Sequence, residues 1–168
     1  GDVYKRQFQN PDIGEGIVPD VVTSAKGIGG GIPLAATLTF GADVTKLLAP
    51  GEHGSTYSGN PVATAAGLAV LNVIERDGLL EHVRQTGEHL RNSLENLDGI
   101  TGVRGSGLLL SFEPAGGAKA FATSALTHGI IVNPATPERV RIAPPLIVTS
   151  SQIDEFIHSI PQIIQDIA

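Results

Sequence analysis

The run from Asn60 to Asp77, NPVATAAGLAVLNVIERD, restricts the possible folds more than any other part of the chain. Asn60 offers a side-chain oxygen to a helix that Pro61 opens at its first position, and Asp77-Gly78 stops it. The face of this helix is dominated by Ala and Gly, so it has no bulky ridge. Such a helix reaches packing density only by lying very close to a sheet or another helix. The rest of the core must be aliphatic. Apolar residues make up 41% of the 168 residues and aromatic ones only 4%, so Ala, Val, Leu and Ile have to fill the interior.

Other segments read clearly. VPDVVTSA, 18–25, is a β-branched run and predicts a buried strand, and PLAATLTF, 33–40, predicts another. Residues 42–48 predict a short helix stopped by Pro50 and Gly51. A second long helix follows Gly78, with Val83, Gly87, Leu90, Leu94 and Leu97 stepping by four and three along one face. After Gly99 the texture changes. ITGVRG and GLLLSFE predict a strand pair, AKAFATSALTHG a helix ending at Gly129, and IIVNP and RVRIAPP short strands. The tail, 150–167, is an amphipathic helix with Ser151 and Asp154 spaced for a capping box and Pro161 expected to bend it. A boundary is expected between Gly78 and Gly99, from an α/β layer to a smaller α+β unit.

Several functions are excluded as expectations. The net charge is −6 and no Lys/Arg stripe is present, which argues against a nucleic-acid partner. With no cysteine there is no disulfide or thiolate zinc site, and the cytosol is the expected compartment. The longest uncharged stretch, 54–74, begins with Ser, Asn and Pro and does not suit a membrane span. The histidines show no metal-ligand spacing, so no metal is expected.

Three stretches could carry chemistry. Lys26 lies between a strand and a loop with four glycines in five positions. A lysine at the end of a buried strand is partly desolvated, which lowers its pKa and frees the amine as a nucleophile toward an aldehyde. The glycines leave room for a flat ligand. PGEHGSTYSGNP, 50–61, places Ser55 and Thr56 before a helix start, a setting that suits a phosphate. In RVRIAPPL, Arg139 and Arg141 alternate, so both point to one face of a strand, and a rigidly held arginine clamps carboxylates well. Each has a plainer reading: a solvated lysine, a capped loop, an edge-strand arginine.

Together, PDVVTSAKGIGGGIPLAA, HGSTYSGNP, VRGSGLLL and RVRIAPPLIV resemble the class III aminotransferases, from about Phe8 to the chain's end. Within the class, GIIVNPATPERVRIAPPLIVTSSQID is most similar to the arginine-biosynthetic members acting on N2-acetylornithine. The resemblance implies pyridoxal 5'-phosphate as cofactor, bound covalently by Lys26, which then shuttles the proton between substrate carbon and cofactor. It implies that Thr56 binds the cofactor phosphate across a homodimer interface. Ser55 would contact acetylornithine, and Arg141, before the paired prolines, would grip the carboxylate of substrate or glutamate. Arg139 lacks a counterpart in the family, and Ser58 replaces a usual glycine.

The implied fold is α/β, the fold-type I transferase, truncated. Residues 8–78 would be the C-terminal part of the large cofactor domain, 79–98 a connecting helix, and 99–168 the small domain. Residues 1–7, GDVYKRQ, differ in character and read as a non-native leader, so Asp2 is given no role. There is no methionine, not even at position 1. The family's N-terminal half is missing, so the chain alone is expected to be inactive. Ornithine, succinylornithine or 4-aminobutyrate could replace acetylornithine as donor, with 2-oxoglutarate as acceptor. The competing reading from another class is a non-catalytic phosphate-binding or dimerisation module.

Overall fold

The computed structural model describes residues 19–47 and 51–167. The expected leader, 1–7, the start of the expected cofactor domain, Val18, Leu48 and Pro50 lie outside the described residues. The chain forms two compact units that divide between Gly78 and Leu79.

In the first unit, β1 (Val21–Ser24) pairs antiparallel with β2 (Ala36–Thr39), with Val21 opposite Thr39 and Ser24 opposite Ala36. One turn of 3-10 helix, Lys26–Gly29, leaves β1, and a short helix α1 (Ala42–Thr45) follows β2. The long helix α2 (Pro61–Arg76) starts as its sequence predicts: Asn60 Oδ1 accepts from the Val62 and Ala63 amides at 3.0 and 3.2 Å. Its buried residues are Ala63 and Gly67, the small face, and it packs on the 3-10 turn.

The strands depart from expectation. Both are shorter than predicted, and instead of being buried they leave Val21 47% and Leu38 46% exposed. The reason is geometric. Among the described residues the ribbon has two strands only, and α2 meets the turn after β1 rather than a sheet face. A β-branched run marks a strand, but what covers that strand is a tertiary matter.

The second unit is a four-stranded antiparallel sheet covered by helices. Its elements are α3 (Leu79–Glu95), β3 (Ile100–Ser106), β4 (Leu109–Pro114), α4 (Ala118–Thr127), β5 (Asn133–Pro134), β6 (Val140–Ile142) and α5 (Ser150–Gln165). The strand order is β3-β4-β6-β5. On α3, Val83, Gly87, Leu90 and Leu94 are buried as the periodicity predicts, whereas Leu97 lies beyond the helix end. Gly87 allows a close crossing: a methyl group there would fall 2.5 Å from the Gly107 carbonyl oxygen, in the turn between β3 and β4.

The sheet alternates strictly along β4. Leu110, Phe112 and Pro114 are buried, while Leu109, Ser111 and Glu113 stay half-open. Phe112 meets Phe121 of α4 edge to face, centroids 5.5 Å apart, a geometry that contributes about 0.5–1.5 kcal/mol beyond area burial. Leu90, Leu94, Leu110, Val140, Ile160 and Ile163 complete this aliphatic core.

The capping box at the start of α5 lies two residues earlier than Ser151 and Asp154 suggest. Thr149 Oγ1 accepts from the Gln152 amide, and Gln152 Oε1 accepts from the Thr149 amide. The hydroxyl and its partner three residues on fit this pair as well, and Asp154 is drawn to His89 of α3, 2.7 Å away. Pro161 lies inside α5, which continues to Gln165. No helix among the described residues is long and apolar enough to cross a membrane.

Candidate functional site

Lys26 is the only non-glycine residue with positive φ among the described residues, at +60°. Its predecessor Ala25 is fully extended, so the chain turns sharply between the end of β1 and the 3-10 turn. A non-glycine residue in this region is strained by about 1–3 kcal/mol, and such strain concentrates at functional sites. The turn is closed by the Gly30 amide on the Gly27 carbonyl (3.1 Å) and the Ile32 amide on the Gly29 carbonyl (3.0 Å). Gly30, at φ +59°, adopts the left-handed conformation that ends the turn.

The sequence predicts a desolvated amine at Lys26, and the structure corrects this: Lys26 is exposed. The ribbon from which it springs is uncovered, so nothing in this unit removes water from the side chain. Among the described residues no ion pair or hydrogen bond engages its amine. Beside it the backbone is open, since a methyl group at Gly27 or Gly31 would meet nothing within 4 Å.

Ser55 and Thr56 lie in the turn leading to α2, both exposed. Ser55 Oγ is 2.8 Å from Ser58 Oγ, and the Ser58 amide donates to the Ser55 carbonyl at 3.1 Å. The Ser55–Ser58 contact escapes a reading of the sequence that treats Ser58 as a minor replacement of glycine. The i, i+3 spacing of two serines across a turn was the available signal. Asn60 Oδ1 is committed to capping α2. Among the described residues no hydrogen bond joins Lys26 to Ser55 or Thr56.

Arg141 belongs to the second unit. In the sheet register it stands opposite Ser111 on one side and Asn133 on the other. Its neighbours Val140 and Ile142 are buried, so by strand alternation Arg141 faces away from the core, and it is exposed. It borders a cavity of about 440 Å³ whose other walls include Leu90, Ile131, Pro144, Val148 and Phe156. Among the described residues nothing pairs with its guanidinium.

Arg139, two residues earlier, is already engaged. It donates to the Gly102 carbonyl (2.9 Å), to Ser111 Oγ (3.3 Å) and to the Glu113 carboxylate. It therefore ties the residue just before β6 to β3 and β4, and its side chain is only 17% exposed. Of the two alternating arginines, one braces the sheet and one is available to a ligand.

These residues fit pyridoxal 5'-phosphate. An amine without a partner among the described residues stands beside open backbone at Lys26, and exposed hydroxyls at Ser55 and Thr56 are of the type that holds phosphate.

Residues 10–164 match the family Aminotransferase class-III. An acetylornithine aminotransferase of Mycolicibacterium smegmatis is 48% identical over 157 residues, which cover 92% of this chain and 40% of that relative. One from Bifidobacterium longum is 42% identical, covering 88% of this chain and 35% of its own length. Among solved structures, acetylornithine aminotransferase from Elizabethkingia anophelis superposes with a TM-score of 0.79 at 28% identity, over 90% of this chain and 40% of that one. Plasmodium falciparum ornithine delta-aminotransferase gives 0.80 at 28% identity, over 98% and 45%. The chain thus spans about two fifths of the length of these relatives.

Proposed function

The chain belongs to the class III aminotransferase family and shares the α/β, fold-type I architecture of its solved relatives, and we propose that it serves the pyridoxal-phosphate-dependent transfer of the δ-amine of N2-acetylornithine to 2-oxoglutarate, a step of arginine biosynthesis. The observation that carries this reading is Lys26: an unpaired amine on a strained backbone position, flanked by open glycines, within a segment that matches the family. The proposed setting is a cytosolic homodimer, with the rest of the reaction chamber supplied by residues outside these 168.

Pyridoxal phosphate, when bound, supplies an electron sink for the carbon that bears the reacting amine. The residues of this chain do the rest. Lys26 Nζ would hold the cofactor in place and, once released, would carry the proton from the amine-bearing carbon of the donor to the cofactor, and in the second half of the reaction from the cofactor to the keto carbon of the acceptor. The Thr56 hydroxyl donates to the phosphate, which in the proposed dimer belongs to the partner's site. Support for the dimer comes from exposed apolar residues around that loop, Tyr57 at 82% and Val62 at 67%, which an interface would cover. Ser55 contacts the acetylated substrate. Arg141, without a partner among the described residues, grips the carboxylate of donor or acceptor through a charge-assisted pair.

A substrate panel on the complete polypeptide tests the reading. Acetylornithine is expected to be the preferred donor over ornithine, succinylornithine and 4-aminobutyrate. Preference for one of the others would reassign the donor. Cofactor retained in a Lys26→Arg variant would favour a binding module instead, because only covalent capture needs a nucleophilic amine.

A further inference from the structure

We propose that Gly67 is a positioning residue for Lys26: the gap it leaves in the face of α2 sets where the Lys26 turn rests. The inference builds on the reading of Lys26 as the lysine that holds the cofactor. Three close approaches join this face to the loop, and a fourth lies within the loop itself. A methyl group at Gly67 would come within 2.5 Å of Leu34 Cδ2 and 3.4 Å of the Ile28 carbonyl oxygen. One at Gly30 would come within 3.0 Å of Val70 Cγ2, and one at Gly29 within 3.1 Å of Leu34 Cβ. Ala63, Gly67 and Val70 follow the i, i+4, i+7 spacing of a single helix face.

The geometry transmits displacement. Ile28 belongs to the same 3-10 turn as Lys26, and that turn is short and closed by its own hydrogen bonds. Ile28 cannot move away from α2 without turning Lys26, whose backbone already sits in a narrow, strained well. Glycine is a poor choice for a helix interior on propensity alone, second only to proline. Its use at position 67 is accounted for by the contact it permits. Leu34 and Ile28 differ in how they can respond to a larger residue. The Leu34 methyl is the end of a flexible side chain and can rotate aside, whereas the Ile28 carbonyl is backbone and cannot.

That difference defines the experiment, carried out on the complete polypeptide with Gly67→Ala, Gly67→Val, each combined with Leu34→Ala, and a Lys26→Ala control. Pyridoxal phosphate fixed to the protein by borohydride reports cofactor capture. The rate of Lys26 acylation in cofactor-free protein, followed against pH by peptide mass, reports the amine itself. Thermal midpoint and helix content report folding. Gly67→Ala is expected to keep its helix content, weaken capture several-fold and recover with Leu34→Ala. Gly67→Val is expected to weaken capture by about tenfold or more, to shift the pH profile of acylation, and not to recover with Leu34→Ala. Capture and acylation profile within about twofold of the parent in folded Gly67→Ala and Gly67→Val would overturn the inference while leaving Lys26 in its role. Capture that survives in Lys26→Ala would instead overturn the reading on which the inference rests.

Discussion

Arg139 and Glu113 form an ion pair across the sheet of the second unit, while the Arg141 guanidinium, two residues on, has no partner among the described residues. Replacing Arg139 by Leu removes its bonds to the half-exposed Glu113 carboxylate and to the Gly102 and Ser111 oxygens. A loss of about 1–3 kcal/mol in unfolding free energy is expected. Denaturant titration of Arg139→Leu checks it, and an unchanged midpoint would contradict the bracing role.

Arg141→Gln is expected to do the opposite. With no partner to lose among the described residues, it should change stability by less than about 0.5 kcal/mol. Steady-state kinetics on the complete polypeptide should show the KM of the carboxylate substrates rising by about 10- to 100-fold, the worth of one charge-assisted pair. Unchanged KM values for both donor and acceptor would remove Arg141 from the site.

Ser58→Gly releases Ser55 from its one side-chain partner among the described residues, the Ser58 hydroxyl 2.8 Å away. If Ser55 is oriented by Ser58, the KM for the acetylated donor changes while that for 2-oxoglutarate does not. Equal shifts for both substrates would point to a general loosening of the loop.

Gly87→Ala tests the helix crossing in the second unit. The added methyl meets backbone, the Gly107 carbonyl group and Cα, so no rotamer relieves it. Overpacking of this kind destabilises by about 1–3 kcal/mol, despite the better helix propensity of alanine. A thermal midpoint at or above that of the parent would show that the crossing yields.

The acid limb of the stability profile should reflect Asp166. Hydrogen bonds from His128 above all, and then Gln162, hold its carboxyl below the ordinary carboxylate range, against a smaller opposing effect of desolvation. A folded-state pKa below the unfolded one adds stability that is present above about pH 4 and is lost as the pH falls through the lowered value. His128→Gln removes the main cause, so its stability should fall less steeply on acidification. Parallel acid titrations of the two proteins would contradict the assignment.

Much of this protein could be read along the chain. Asn60 and Pro61 announced α2 through local chemistry, since a cap and a ring-locked φ act within one helical turn. The spacing of Val83, Gly87, Leu90 and Leu94 revealed the buried face of α3, because helical period is a local property. Lys26, Ser55, Thr56 and Arg141 were recognisable as candidates by residue type and setting. Other outcomes depended on residues far apart in sequence. Whether β1 and β2 were buried turned on what lay over them, and the answer was that Val21 and Leu38 are each about half exposed. Which of two alternating arginines stayed free was decided by Glu113, 26 residues away. The capping box passed from Ser151 to Thr149 while Asp154 paired with His89 on a neighbouring helix. The sequence by itself determined the elements, their small and apolar faces, and the inventory of reactive groups, because those follow from bonds and periods within a few residues. Only the tertiary structure decided burial, partnership and strain at each group, because these come from contacts that chain neighbours do not specify.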